Sequence, residues 1–159
     1  MNTRHLGALY TASFLLWAAA IPSIARADTD ACSVLTPTQI GAAVGVPVAA
    51  GTHVTPTFVR TCTWNASGNS DVKFVTLYLQ TAAAYDGGKQ MAVEMAAAGA
   101  GLKSAAVGDD AYYFVAGSQV GLLVKHGSVS FKVAVYATLP VDKKEAMELA
   151  LAKEALAKL

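Results

Sequence analysis

Charge is scarce in this sequence, and neither sign dominates. Only 14% of the 159 residues are charged, with 12 Lys and Arg against 11 Asp and Glu. A dedicated nucleic-acid binder normally carries a basic excess, so the balance argues against a nucleic-acid partner. Histidine occurs three times and cysteine twice. So few ligands at no recognisable metal spacing imply neither a metal nor a cofactor. A G-x-S-x-G elbow, a phosphate loop and H-E-x-x-H are all missing. Apolar residues, by contrast, make up 54% of the chain, which excludes intrinsic disorder. The length suits one domain, and there is no internal repeat, linker or low-complexity tail.

The apolar residues are unevenly placed. Residues 1–27 have the three parts of a secretory signal peptide. Arg4 and His5 supply the basic end, an apolar run extends from Leu6 to Ile21, and Pro22 and Ser23 break it. The run is shorter than the roughly 20 apolar residues of a membrane span and contains Thr11 and Ser13. Ala25 and Ala27 are the small residues a signal peptidase reads, so cleavage makes Asp28 the first residue of a single exported domain, 28–159. Cys32 is not set in a lipidation motif: it lies five residues past Ala27, and Asp30 puts a charge where an apolar or small residue is needed. The expected product is secreted or periplasmic, with no stable membrane anchor. Loss of Arg4 and Arg26 leaves 10 basic and 11 acidic residues, a net charge of −1.

In an oxidising compartment, an even cysteine count reads as a disulfide, here Cys32 to Cys62. Closing a loop of that length is worth about 3–4 kcal/mol in the chain-entropy picture. The alternatives are a redox pair, which normally has C-x-x-C spacing, and a metal site, which needs more ligands than His53 and His126 can add.

Local patterns predict eight elements. Thr36 as N-cap, Pro37 at the first helical position and Gln39 completing a capping box mark a short helix over 33–45, which Gly45 ends. Residues 46–57 read as loop or irregular strand. Strands are expected over 58–64, where Phe58, Arg60, Cys62 and Trp64 share a face, and over 72–80, where Val75, Leu77 and Leu79 oppose Phe74, Thr76 and Tyr78. A second helix over 83–98 carries Met91, Ala92, Met95 and Ala98 at helical spacing. After a loop over 101–110, strands follow at 111–116, 120–125 and 129–138, turning at Gly117-Ser118 and His126-Gly127. The last helix is capped by Asp142, has an apolar stripe of Ala146, Leu149, Ala152, Leu156 and Leu159, and pairs Glu154 with Lys158. The class is α+β: a mostly antiparallel sheet of about five strands with helices packed on it, in the order αββαβββα.

Three short motifs carry a resemblance. Ala31-Cys32-Ser33-Val34-Leu35-Thr36, Cys62-Thr63-Trp64, and Val107-Gly108-Asp109-Asp110-Ala111-Tyr112 followed by an apolar hairpin are together similar to the small secreted or lipid-anchored bacterial domain-of-unknown-function proteins best known from actinobacteria. The resemblance spans Cys32 to Leu159. It implies export and this fold, and no catalytic residues. The chain differs from many such proteins in lacking a lipidation motif.

Candidate chemistry is sparse. His126 falls in a hairpin turn and His53 in a loop, and Asp109-Asp110 are adjacent residues expected to point apart or to cap their own backbone. No catalytic set follows. The better clue is aromatic: Tyr112, Tyr113 and Phe114 are consecutive, so a strand there turns at least one from the main core, and Tyr78 and Tyr136 fall on outward faces. The expected function is that of a non-catalytic exported module binding an envelope protein or a small ligand. The alternative is a small secreted hydrolase or other enzyme with an unrecognised site, built on His53 or His126 with a nearby acid. Intact mass of the exported protein tests the processing step: the account expects a chain beginning at Asp28, and one beginning at Met1 contradicts it.

Overall fold

A computed structural model describes residues 29–68, 70–97 and 101–159. The expected signal segment, with Ala25, Ala27 and Asp28 at its cleavage point, lies outside the described residues, as does Ala98 of the expected helical stripe. No helix among the described residues is long and apolar enough to cross a membrane.

The class is α+β, built on one antiparallel sheet. Its strands are β1 (Thr52–His53), β2 (Thr61–Asn65), β3 (Val72–Thr81), β4 (Gly101–Ser104), β5 (Asp110–Ala116), β6 (Gln119–His126) and β7 (Val129–Ala137), and its helices are α1 (Pro37–Val44), α2 (Ala82–Ala97) and α3 (Val141–Leu156). The spatial order is β1-β2-β3-β7-β6-β5-β4. Seven strands replace the expected five. The two added ones are short edges, one in the stretch 46–57 that reads as loop or irregular strand and one in the stretch 101–110 that reads as a loop. Thr52 and His53 pair with Thr63 and Cys62, and Gly101 to Ser104 pair with Val115 to Tyr112. Two polar residues and a Gly-Leu-Lys-Ser run carry no alternating apolar signal, so only pairing with a neighbour identifies them.

The sheet's principal face forms the core. Cys62, Leu77, Val133 and Leu122 lie in one row across β2, β3, β7 and β6, and Trp64, Val75 and Val135 in another. All seven are fully buried. Burial of each side chain of this size is worth about 1.5–3 kcal/mol. The alternation expected in β3 and β7 is present, with one refinement. A bulge between Val72 and Phe74 lets Val72 join the core beside Ala137, while Phe74 turns to the other face beside Tyr136. In β2, Cys62 and Trp64 point inward together as expected. Phe58 does not belong to the strand and is 44% exposed, because β2 begins at Thr61.

The Cys32–Cys62 disulfide is present, with Cα atoms 5.0 Å apart. It ties β2 to a 3-10 turn at Ala31–Ser33 that leads into α1. Gly51 sits against it: a Cβ there would lie 2.5 Å from Cys62 Sγ and 2.6 Å from Trp64 Nε1. Helix α1 has the expected capping box. Gln39 N–H donates to Thr36 Oγ1 at 3.2 Å, Thr36 N–H donates to Gln39 Oε1 at 2.9 Å, and Gly45 closes the helix at φ +74°.

Helix α3 departs most from its sequence pattern. Its N-cap is Pro140, without a side-chain cap, and Asp142 lies within the first turn. The buried residues are Lys144, Glu148, Leu151, Ala152 and Ala155; Ala146 is exposed, while Leu149, Leu156 and Leu159 pack at the rim. Two charged residues therefore occupy the inward stripe, because the sheet offers them backbone partners. Lys144 Nζ donates to the Ser118 carbonyl in the β5–β6 turn. The β6–β7 ladder stops at Leu122 and Val133, and the Val135 N–H beyond it donates to Glu148 Oε1 at 3.0 Å. Glu154 accepts from Gln39 Nε2 of α1 at 2.8 Å instead of pairing with Lys158. In α2 the buried residues are Tyr85 and Ala92, whereas Met91 and Met95 are 63% and 51% exposed. The inward stripe is thus rotated from the methionines toward Tyr85. The second hairpin turns at Gly127-Ser128, one residue later than expected.

Burial raises the Glu148 carboxyl from its ordinary value to about 7, against the opposing pull of the Val135 N–H, Lys132 and Lys144. The folded state therefore holds a proton that the unfolded chain has released, and stability falls as pH rises from about 4.5 through about 7. The loss across that window is about 3 kcal/mol. Urea unfolding of wild type and Glu148→Gln across this range checks it: the wild type should lose stability relative to the variant, and parallel profiles would refute the assignment.

Candidate functional site

Alternation along β5 splits the aromatic run. Tyr112 and Phe114 face α2, and Tyr113 faces α3. Tyr112 is 2% exposed and Tyr113 5% exposed, with Phe114 half-buried. The cluster beneath α2 is Tyr85, Ala92 and Tyr112, flanked by Leu102, Phe114 and Leu123. The Tyr85 and Tyr112 rings lie 5.4 Å apart, and burial, with Asp110 nearby, pushes both hydroxyls upward. On the other face the Tyr113 hydroxyl donates to the Glu145 carbonyl at 3.0 Å, and burial pushes it up to about 12. Two members of the run are therefore packing residues, and little free surface remains on Phe114.

The other expected aromatics stay near solvent. Tyr112, Leu123, Lys132 and Tyr78 form one row across β5, β6, β7 and β3, on the face opposite the main core. The α2 cluster covers the β4–β6 part of this face. Toward β7, β3 and β2, the side chains of Lys132, Tyr136, Phe74 and Thr76 are only half-buried, and Tyr78 is 37% exposed. Two aromatic pairs mark this region: Phe74 and Tyr136 stack with centroids 4.2 Å apart, and Phe58 and Tyr78 with centroids 6.3 Å apart. Lys132 pairs with Tyr78 in the register of β7 against β3 and lays its chain over Gly121 of β6, where a Cβ would come within 2.6 Å of Lys132 Cε. Lys132 forms no ion pair among the described residues. Alternation in β3 and β7 made Tyr78 and Tyr136 legible. Phe58 joins from a loop, where no periodic signal exists.

The acidic pair separates as expected of neighbours in an extending chain. Asp109 accepts from the Gly127 N–H at 2.6 Å and lies 3.5 Å from His126 Nδ1. The turn N–H, with His126 and Lys125, holds this carboxyl below its ordinary range. Asp110 pairs with Lys89 of α2 at 2.6 Å and is lowered chiefly by that contact. Asp86 of α2 similarly meets Lys125 at 2.8 Å. These pairs fasten α2 and the second hairpin.

His53 is placed differently. Its Nε2 lies 3.4 Å from Asp30 Oδ2, and its Nδ1 lies 3.6 Å from Cys32 Sγ and 3.2 Å from the Thr61 carbonyl. Asp30, Cys32 and His53 form the one group of three metal-ligating side chains found among the described residues. Its sulfur is already bonded to Cys62. No motif or spacing signals this meeting, which depends on the pairing of the short strand β1 with β2. No family model matches the chain, and neither a curated protein nor a solved structure matches it.

The division between packing and surface aromatics has a direct energetic consequence. Tyr112→Ala should cost about 3–5 kcal/mol, as expected for loss of a buried ring. Tyr78→Ala should cost about 1 kcal/mol or less. Chemical denaturation of both variants decides; equal costs would contradict the division.

Proposed function

We propose that the chain is an exported, non-catalytic binding protein of the cell envelope or extracellular space, related to the small secreted bacterial proteins its motifs resemble. Export is supported by the N-terminal segment with its Ala25-Arg26-Ala27 end, and the Cys32–Cys62 bond suits an oxidising compartment. The contact surface is the part of the sheet left open by α2, where the Phe74–Tyr136 and Phe58–Tyr78 stacks share one face and Lys132 pairs with Tyr78. That juxtaposition carries the reading. Aromatic rings supply large contact area at little entropic cost. A lysine without an ion pair among the described residues adds a site for a carboxylate. The partner is therefore an envelope protein presenting apolar side chains beside an acidic one.

Affinity capture from the envelope fraction, followed by direct titration of the captured protein, tests this. Tyr78→Ala combined with Lys132→Glu should weaken binding at least about tenfold, the loss of one good contact. Lys153→Glu, on the exposed side of α3, should bind as wild type. Equal binding by the double variant and wild type would overturn the surface assignment.

A further inference from the structure

The two sulfurs of the disulfide stand in unlike surroundings. Cys62 is fully buried, beneath Gly51 and beside Trp64. Cys32 is half-buried, in the 3-10 turn at the domain's edge. The imidazole of His53 reaches the outer sulfur only, with Nδ1 3.6 Å from Cys32 Sγ. Its orientation is fixed at both ends, by the Thr61 carbonyl at 3.2 Å from Nδ1 and by Asp30 Oδ2 at 3.4 Å from Nε2. Asp30 is itself fixed, because its Oδ1 accepts the Cys32 N–H at 2.7 Å. With its proton on Nδ1, facing the Thr61 carbonyl, the ring also has that N–H beside the Cys32 sulfur. Such a donor gains little from a neutral disulfide sulfur and much more from a thiolate.

We propose that Cys32 and Cys62 form a thiol–disulfide exchange site for a dithiol substrate. Cys32 is the attacked sulfur, Cys62 the buried resolving sulfur, His53 the catalytic group beside Cys32, and Asp30 a positioning residue. A substrate thiolate attacks Cys32 Sγ. The Cys32–Cys62 bond breaks, its electron pair leaves on Cys62, and a mixed disulfide forms at Cys32. The second substrate thiolate then attacks the substrate sulfur of that mixed disulfide. Cys32 leaves as a thiolate stabilised by the His53 N–H. The substrate is oxidised by two electrons to a disulfide, and the chain is reduced to two thiols, receiving the two protons the substrate loses. A stabilised leaving thiolate speeds this step, and access confines attack to the outer sulfur. The C-x-x-C spacing usual for such pairs is replaced by two segments brought together in space.

Dithiothreitol serves as the small dithiol probe, with protein thiols trapped by maleimide and counted by mass. The native bridge should open without denaturant, and His53→Gln should slow opening by about tenfold or more. In Cys62→Ser, iodoacetamide should modify Cys32 at pH 7 about tenfold faster than an ordinary cysteine, and adding His53→Gln should abolish the excess. If Cys62→Ser does not fold, the opening rates of wild type and His53→Gln still decide. A bridge that opens only in urea, or at the same rate in both proteins, overturns the proposal.

Discussion

The register of β3 against β7 runs from Val72 opposite Ala137 to Thr81 opposite Val129, and most of the molecule follows from it. Because side chains alternate, that one pairing sends Val75, Leu77, Leu79, Phe131, Val133 and Val135 to the core and leaves Phe74, Tyr78, Lys132 and Tyr136 on the other side. A slip of one residue would exchange the two sets, exposing aliphatic side chains and burying a lysine. The bulge after Val72 preserves this sorting at the end of the strand, where strict alternation would have drawn Val72 out of the core. The disulfide, α1 and α3 are then added to a face already chosen.

The attachment of α3 shows how that face tolerates charge. Lys144 and Glu148 are almost wholly buried, yet each reaches a backbone group left over where the sheet changes. Unpartnered, the buried Val135 N–H would itself carry a desolvation cost. The helix therefore docks through polar contacts as well as through Leu151, Ala152 and Ala155. Glu148 Oε2 has no hydrogen-bond partner among the described residues, which fits a carboxyl driven toward its neutral form by burial. Buried polar contacts of this kind add less stability than an apolar match would.

Much of the fold is legible in the chain because local chemistry and tertiary structure agree there. The capping box of α1, the alternation of β3 and β7, the Gly117 turn and the two cysteines all belong to this class. Where they disagree, the reasons are specific. β1 and β4 are short and polar, so they exist by pairing alone. The apolar stripes assigned to α2 and α3 were rotated because periodicity weighs methionine above tyrosine and charge, whereas Tyr85, Lys144 and Glu148 are buried by partners distant in sequence. The aromatic surface was half legible: Tyr78 and Tyr136 follow from alternation, Tyr112 and Tyr113 lie beneath helices whose placement no local signal fixes, and Phe58 arrives from a loop. The approach of His53 to Cys32 had no sequence signature at all.

The two faces of the sheet are unequally covered. One face carries a complete core. The other is covered by α2 over Tyr112 and Leu123 and left partly open over the two stacked aromatic pairs. Hydroxyl-radical footprinting of the native protein, read tyrosine by tyrosine, measures that asymmetry directly. The account predicts rapid modification of Tyr78, slower modification of Tyr136, and strong protection of Tyr85, Tyr112 and Tyr113. Modification of Tyr112 or Tyr113 as fast as that of Tyr78 would contradict it.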